Sequence, residues 1–412
     1  FDGAAHIIFD DIFIESLNSG SGRVISFTGE NESITLQNCR IKSPGSSTTS
    51  SNSAVIYDFS GVTNFSSNIT IKNNSIEGGS YGIYFYGNNT TDFQDGLTIE
   101  DNDISGFYYM GIYTYANSNV KVANNTIEDG GSYTSPNGIR LNYSDSSEIA
   151  ANSIVLNGTS SPIGLYVYFC DGSSSKPVKI YNNIVHLASQ SATGSPTGIY
   201  GYQGENNQIY YNTSVLQSGG TASESLYLNY LATHSADIRN NSLVNYGTGY
   251  ATYVANTAGI DTMDYNNLFS AGTNIAYWSG ARTTLAALRA ISSKAVNSIN
   301  ADPNYTSTSN LRTYSVDLDG KATPIANVST DYDGDTRNTT TPDIGADEYT
   351  PPAIDISVKS IFTNDLSPCG EPSQSLRAII GNDGTQAQHT IPVVLRISGA
   401  ITQTLNATYT DT

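Results

Sequence analysis

The chain has 412 residues, 38% hydrophobic and only 13% charged, with 18 Lys plus Arg against 37 Asp plus Glu and a formal net charge of −19. Such acidity repels phosphate backbones and anionic lipid, which excludes nucleic acid and membrane surfaces as expected partners, and no apolar run is long enough to span a bilayer as a helix. Disorder is excluded too, because chains that cannot bury a core are poor in aromatics, and this one carries 29 Tyr and 12 Phe.

From the N-terminus onward one string recurs. Early copies run from Ile7 to Ile14 and from Ile34 to Ile41, with Ile12 and Cys39 at its key position. The full form follows as Ile69-Thr70-Ile71-Lys72-Asn73-Asn74-Ser75-Ile76, then Leu97-Thr98-Ile99-Glu100-Asp101-Asn102-Asp103-Ile104, then Val120-Lys121-Val122-Ala123-Asn124-Asn125-Thr126-Ile127. Weaker copies place Asn152, Asn183, Asn212, Asn241 and Asn267 at the second Asn position, giving ten copies 23 to 35 residues apart. Apolar residues two apart predict a short strand with one buried face. The Asn pair predicts a turn, since Asn tolerates left-handed φ. Steps of this length suit stacked coils of short strands, with equivalent Asn side chains forming a ladder at about 4.8 Å. In the first coil Asp10-Asp11 stands in for the Asn turn.

Between the Asn pairs a second strand recurs, as in Gly82-Ile83-Tyr84-Phe85-Tyr86, Gly111-Ile112-Tyr113-Thr114-Tyr115 and Gly138-Ile139-Arg140-Leu141-Asn142. Alternation points Ile83, Phe85, Ile112, Ile139 and Leu141 inward and the tyrosines outward. Variation in coil length falls in loops such as Ser43 to Ser53 and Ser189 to Pro196, predicted to project from one edge. Cys39 and Cys170 lie within the repeats, as packing residues. With Cys369 they make three widely spaced cysteines, without zinc or redox spacing and without an indicated disulfide framework.

The Asn-Asn-(Ser/Thr)-Ile and Gly-Ile-Tyr strings resemble the right-handed parallel β-helix repeat proteins of pectin-lyase-like fold, over roughly Phe1 to Glu348. The resemblance implies an all-β chain: a right-handed parallel β-helix over 1–295, a closing segment over 296–350, and the start of a β-sandwich over 351–412. Thr283 to Leu288 reads as a short helix. Together with Asn297-Ser298-Ile299 and Asp302-Pro303, it resembles the closing segment of many secreted β-helix proteins. Asp331-Tyr332-Asp333-Gly334-Asp335-Thr336-Arg337 and Asp343 to Tyr349 resemble tail motifs of large surface or secreted proteins of Gram-negative bacteria, some exported by the type IX route. After Pro351-Pro352, alternation in Ile354 to Val358, Ser375 to Ile380 and Val393 to Ile397, with an Asn382-Asp383-Gly384 turn, resembles an immunoglobulin-like adhesion module. About 60 residues are too few for seven strands, so a longer native protein is expected. The start in mid-pattern at Phe1 fits a processed or truncated form.

Proteins of this fold include lyases and glycosidases of acidic polysaccharides, but no catalytic set is assigned to this sequence. Lys72, Lys121, Arg140, Lys179 and Arg239 fall in different coils, interleaved with Glu100, Glu148 and Asp237, and read as mixed charge on a solvated row. His6, His186, His234 and His389 show no partner spacing. For metal, Asp331, Asp333 and Asp335 form an alternating carboxylate loop suited to Ca²⁺, with Asp347 or Glu348 to complete the shell; the alternative is that Asp331 and Asp335 pair with Arg337. Glu100, Asp101 and Asp103 make a weaker acidic cluster. For glycan, Tyr84, Tyr113, Tyr166, Tyr200 and Tyr227 occupy one outward row interrupted by Arg140. Tyr86, Tyr115, Tyr168 and Tyr202 occupy the next, interrupted by Asn142. Flat rings repeated every coil suit stacking on sugars, or else they stabilise the sheet as neighbours.

The expectation is a secreted or cell-surface module without catalytic activity, with a polysaccharide or cell-surface glycan, or secretion or surface-anchoring machinery, as partner. The alternatives are a polysaccharide lyase or glycoside hydrolase acting on an acidic glycan, and a cargo of a secretion or gliding apparatus.

Overall fold

The computed structural model describes residues 1–18, 21–59, 65–87, 93–307, 310–363, 376–399 and 402–410. Ten successive coils each place one short strand in each of three parallel sheets. The first sheet runs from Ile8–Asp10 to Ile260–Asp264 and the second, past the Asn turn, from Phe13–Glu15 to Asn267–Ser270. The third runs from Ile25–Phe27 to Ala276–Trp278 and carries the Gly-Ile-Tyr strings. Equivalent residues are paired in register from coil to coil, as Ile71 with Ile99 and Ile99 with Val122. Alternation therefore becomes columns: Leu36, Ile71, Ile99, Val122, Ile149, Ile180, Ile209 and Ile238 are all sealed from solvent. Each such side chain contributes roughly 1.5–3 kcal/mol of burial. Ile83, Phe85, Ile112, Ile139 and Leu141 are inside as predicted.

The turn from first to second sheet divides its labour between the two Asn positions. The first is left-handed and exposed at Asn38, Asn73, Asp101 and Asn124, and left-handed but buried at Asn182. Asp11 takes the same conformation at φ 55°, and the Asp10 carboxylate accepts from the amides of Gln37 and Asn38. The second Asn points inward. Asn125 Nδ2 donates to Asn152 Oδ1 at 2.9 Å and to the carbonyls of Ile99 and Ala123, while Asn152 Oδ1 also accepts from the Asn125 backbone. The same pattern links Asn74, Asn102, Asn125, Asn152, Asn183, Asn212 and Asn241. The last rung corrects the sequence reading by one residue. Asn266, not Asn267, accepts from Asn241 at 2.9 Å, and Ser298 Oγ then accepts from the Asn266 backbone. Asn267 instead pairs with both backbone groups of Ala301. The pattern slipped because the adjacent Asn266-Asn267 mimics an Asn pair, whereas the left-handed first position is held by Tyr265 at φ 56°, as it is by Tyr211 at φ 52° in an earlier coil.

Of the predicted loop Ser43 to Ser53, residues 43–45 extend the second-sheet strand Arg40–Gly45 and Ser43 is buried; the remainder, like Ser189 to Pro196, lies at the corner from second to third sheet. At that corner the glycine column is steric. A Cβ at Gly111 would stand 2.7 Å from the Gly138 carbonyl oxygen and 2.7 Å from an Ile127 methyl. Cys39 and Cys170 are buried free thiols; Cys369 lies outside the described residues.

The helix Leu285–Ser292 begins on an N-cap Thr284, whose hydroxyl accepts from Ala287 N, and ends on left-handed Ser293. Leu288 and Ala295 close the end of the solenoid core. The chain then turns back along the outside of the coils. Asp302 meets Tyr246, Thr323 meets Asn240 and Thr330 meets Asn182. This explains apolar outward positions on the second sheet: Val215 and Val244 are covered by Leu311. Beyond Pro352, Ile356–Thr363 pairs antiparallel with Leu376–Asn382, and Thr390–Ile397 with Gln403–Thr410. Val358 and Ile361 there remain 56% and 59% exposed, so this small two-sheet region has no sealed core among its described residues.

Candidate functional site

The outward face of the third sheet is built by register. Tyr57, Tyr84, Tyr113, Arg140, Tyr166, Tyr200, Tyr227, Tyr253 and Tyr277 are successive partners across nine coils. Sequence reading found the middle six and missed Tyr57, Tyr253 and Tyr277. Tyr57 follows no Gly-Ile string, whereas Tyr253 and Tyr277 sit in Tyr-Val and Tyr-Trp contexts; the tyrosine period itself was the available signal. Phe59, Tyr86, Tyr115, Asn142, Tyr168, Tyr202 and Asn229 form the adjacent row.

Ring geometry modifies the expectation of free flat faces. Centroids along the first row lie 5.3 Å apart for Tyr57–Tyr84, 4.6 Å for Tyr200–Tyr227 and 4.2 Å for Tyr253–Tyr277, within 15° of parallel. Tyr86–Tyr115 and Tyr168–Tyr202 stack likewise. These rings turn their faces to one another because the strand spacing nearly matches an aromatic stacking distance. Edges and hydroxyls then meet solvent. Arg23 lies 3.4 Å over the Tyr57 ring at one end.

The stack breaks at Arg140. Its guanidinium lies 4.3 Å over the Tyr166 ring, and its Nε donates to Asn142 Oδ1 at 3.1 Å. Asn142 in turn reaches the Tyr113 hydroxyl at 3.5 Å. Tyr115, Tyr143 and Tyr168 flank this polar pair, with Tyr143 edge-on to both others. A cation and an amide framed by rings can offer directed hydrogen bonds inside an otherwise aromatic surface. Burial pushes the Tyr113 phenol up to about 12, although Arg140 beside it pulls the other way, so the hydroxyls are neutral donors. Farther along, Glu224 is 9% exposed, with Thr197 as its hydrogen-bond partner at 3.4 Å, and burial pushes its carboxyl up to about 8. It was passed over because it precedes the Ser225-Leu226-Tyr227 string.

The other candidates lie elsewhere. On the first sheet Lys121 meets Glu100 at 2.6 Å, Lys179 meets Glu148 at 3.8 Å and Arg239 meets Asp237 at 2.6 Å: mixed charge on one face. Asp101 and Asp103 are exposed beside Glu100. The Asp331–Asp335 loop is not assembled as a shared donor set. Buried Asp331 accepts from the backbones of Asp333, Asp335 and Glu348. Asp333 pairs with Arg312, which also reaches Asp347 at 3.5 Å, and Asp335 is exposed. Arg337 pairs with Glu348 at 3.3 Å and bonds the Gly345 and Ala346 carbonyls and Asn182, so neither Asp331 nor Asp335 is its ion-pair partner. Among the described residues no three His, Cys, Asp or Glu side chains converge as a metal group; the cation between Asp333 and Asp347 is a guanidinium. Of the histidines, His186 is buried, and burial lowers it to about 4.

A model of the family described as right handed beta helix region matches residues 60–213, the stretch that holds the most regular Asn rungs and the polar break at Arg140. No curated protein matches the chain. The family match and the ten stacked coils identify the coiled part of this chain as a right-handed parallel β-helix.

Proposed function

We propose that this chain is a non-catalytic extracellular or cell-surface module of a larger exported bacterial protein, and that it binds glycan on the tyrosine face of its third sheet. The observation that carries the reading is the nine-coil outward row with tyrosine at every position but one, where Arg140 and Asn142 open a polar gap. The interior is filled by the inward columns without this row, although Tyr57, Tyr84 and Tyr113 also pack on a small outer cluster of Ala54, Tyr81 and Met110. A face of this length and flatness suits a polymer lying along it. Hydroxyl edges and the Arg140–Asn142 pair would hydrogen-bond sugar hydroxyls, and the Tyr143 ring, edge-on to Tyr115 and Tyr168, would pack on sugar C–H groups. The acidic chain and the paired charges of the first sheet argue for a neutral or basic glycan over an anionic one.

A glycan array with wild type, Arg140→Ala and the double variant Tyr113→Ala/Tyr166→Ala tests this. Binding to at least one glycan class should weaken at least about tenfold in both variants, equal to ~1.4 kcal/mol. Unchanged binding in both variants overturns the assignment of the face. Release of unsaturated uronides from acidic polymers, followed by ultraviolet absorbance, overturns the non-catalytic reading in favour of a lyase.

A further inference from the structure

Arg140 differs from most cations of the coils and the returning segment. Lys121, Lys179, Arg239, Arg312 and Arg337 each pair with a carboxylate. Arg140 pairs with none among the described residues. Its Nε donates to Asn142, its plane lies on the Tyr166 ring, and its two Nη groups have no hydrogen-bond partner there. The side chain is half-buried, so these donors are only partly hydrated and gain from an added acceptor.

Asn142 directs both of its neighbours. Its Oδ1 accepts from Arg140 Nε, which orients the guanidinium, and its Nδ2 donates to the Tyr113 hydroxyl oxygen at 3.5 Å. The Tyr113 O–H is therefore left to donate elsewhere. The polar residues also arrive together on the strand Asn137–Asp145. Asn137 stands between Met110 and Ile163, Arg140 between Tyr113 and Tyr166, and Asn142 between Tyr115 and Tyr168. One coil interrupts three columns at once and gathers unsatisfied donors at a single place on the face.

Resting on the reading of this face as a glycan site, we propose that Arg140 determines its specificity and selects glycans that carry an acetamido group, as N-acetylhexosamines do. Converging donors call for an acceptor on the ligand. A carbonyl oxygen has two lone pairs, one for an Arg140 Nη and one for the Tyr113 O–H. A sugar hydroxyl is the weaker acceptor and brings no apolar group, whereas the acetamido methyl suits the edges of the Tyr113 and Tyr166 rings. A polymer with a carboxylate on every unit meets one cation in the whole row, on a chain of net charge −19, and is repelled. An amino sugar sets its own cation against Arg140.

The test is titration of the full chain on an array of matched hexasaccharides: N-acetylglucosamine against glucose, N-acetylgalactosamine against galactose, and a hexagalacturonate as the anionic arm. Wild type should bind the acetylated member of at least one pair about tenfold or more tighter than its partner and than the hexagalacturonate. Arg140→Ala should bind both members of that pair alike. Tyr227→Ala, three coils farther along the row, should weaken both members and keep their ratio, which separates selectivity from stability of the sheet. Equal binding of both members by wild type, a ratio retained in Arg140→Ala, or tightest binding to the hexagalacturonate overturns the proposal and leaves the face a glycan site. Failure of both acetylated hexasaccharides to bind overturns it too. Binding to no glycan at all overturns the face reading along with it.

Discussion

Asn125 and Asn124 are neighbours of identical chemistry with opposite fates. Asn125 is buried and bonded on every polar atom, while Asn124 is exposed at φ 55°. The next coil holds the equivalent outer position with Ala151 at φ 51°. Asn124→Ala should therefore cost only about 1 kcal/mol, the local penalty of left-handed backbone. Asn152→Ala strips the acceptor from two donors of Asn125 and should cost ~3 kcal/mol or more. Urea unfolding of the two variants measures the contrast; similar values would mean that the ladder does not hold the coils. A second residue-scale prediction concerns Asp58, buried between in-register Phe27 and Phe85. Gln94 Nε2 donates to it at 2.8 Å, and burial pushes its carboxyl from 3.8 to about 7. Its folded pKa is raised, so its contribution is full below the unfolded value and is lost as pH rises through about 7. Asp58→Asn should raise stability at pH 8 relative to wild type and leave pH 4 nearly unchanged, as read by thermal melts.

At the scale of single elements, stacking and recognition by the tyrosine row are separable. Tyr200 touches Tyr166 and Tyr227 at 4.5 and 4.6 Å. Tyr200→Ala should lose ~1–3 kcal/mol, from two aromatic pairs of ~0.5–1.5 kcal/mol each. Tyr200→Phe keeps both contacts, so its melting temperature should stay at the wild-type value. Any loss of glycan affinity in that variant then belongs to the hydroxyl. The Asp331 loop behaves as a hydrogen-bonded turn clamped by Arg312 and Arg337. Millimolar calcium or a chelator should leave the melting temperature unchanged, and Arg312→Ala should lower it. A calcium-dependent rise in wild type would restore the metal reading of Asp331, Asp333 and Asp335.

For the whole molecule, stacked coils make stability nearly one-dimensional, each rung holding its neighbours. The returning segment breaks that simplicity by tying the Asn182, Asn240 and Asn267 coils together from outside. Backbone amides of those coils should exchange more slowly than those of the first two coils, which have no such cover among the described residues. The antiparallel strands Ile356–Thr363, Leu376–Asn382, Thr390–Ile397 and Gln403–Thr410 should exchange fastest. Asp58, Asp343 and Glu224 all have carboxyls raised by burial, to about 7, 7 and 8. His186 is lowered and works in the opposite sense, but only below its ordinary 6.5. Between pH 6.5 and 8 only the carboxyls act, so the melting temperature should fall across that window. A flat or rising profile would contradict their burial.

The solenoid was legible from the sequence alone, because a repeat must satisfy the same local rules ten times. Period-two apolar residues, a turn-forming Asn pair and a clash-limited glycine are each visible in one copy and confirmed by the next. Inside and outside followed from alternation, and the tyrosine row followed from both. Tertiary structure decided what repetition cannot encode. It chose Asn266 over Asn267 as the last rung and turned the ring faces onto one another. It sent Asp331, Asp333 and Asp335 to three different environments, and it brought residues 310–347 against coils as far as 155 residues earlier. Those outcomes depend on contacts between segments of unrelated sequence, where the energy lies in shape and charge complementarity across space and leaves no period along the chain.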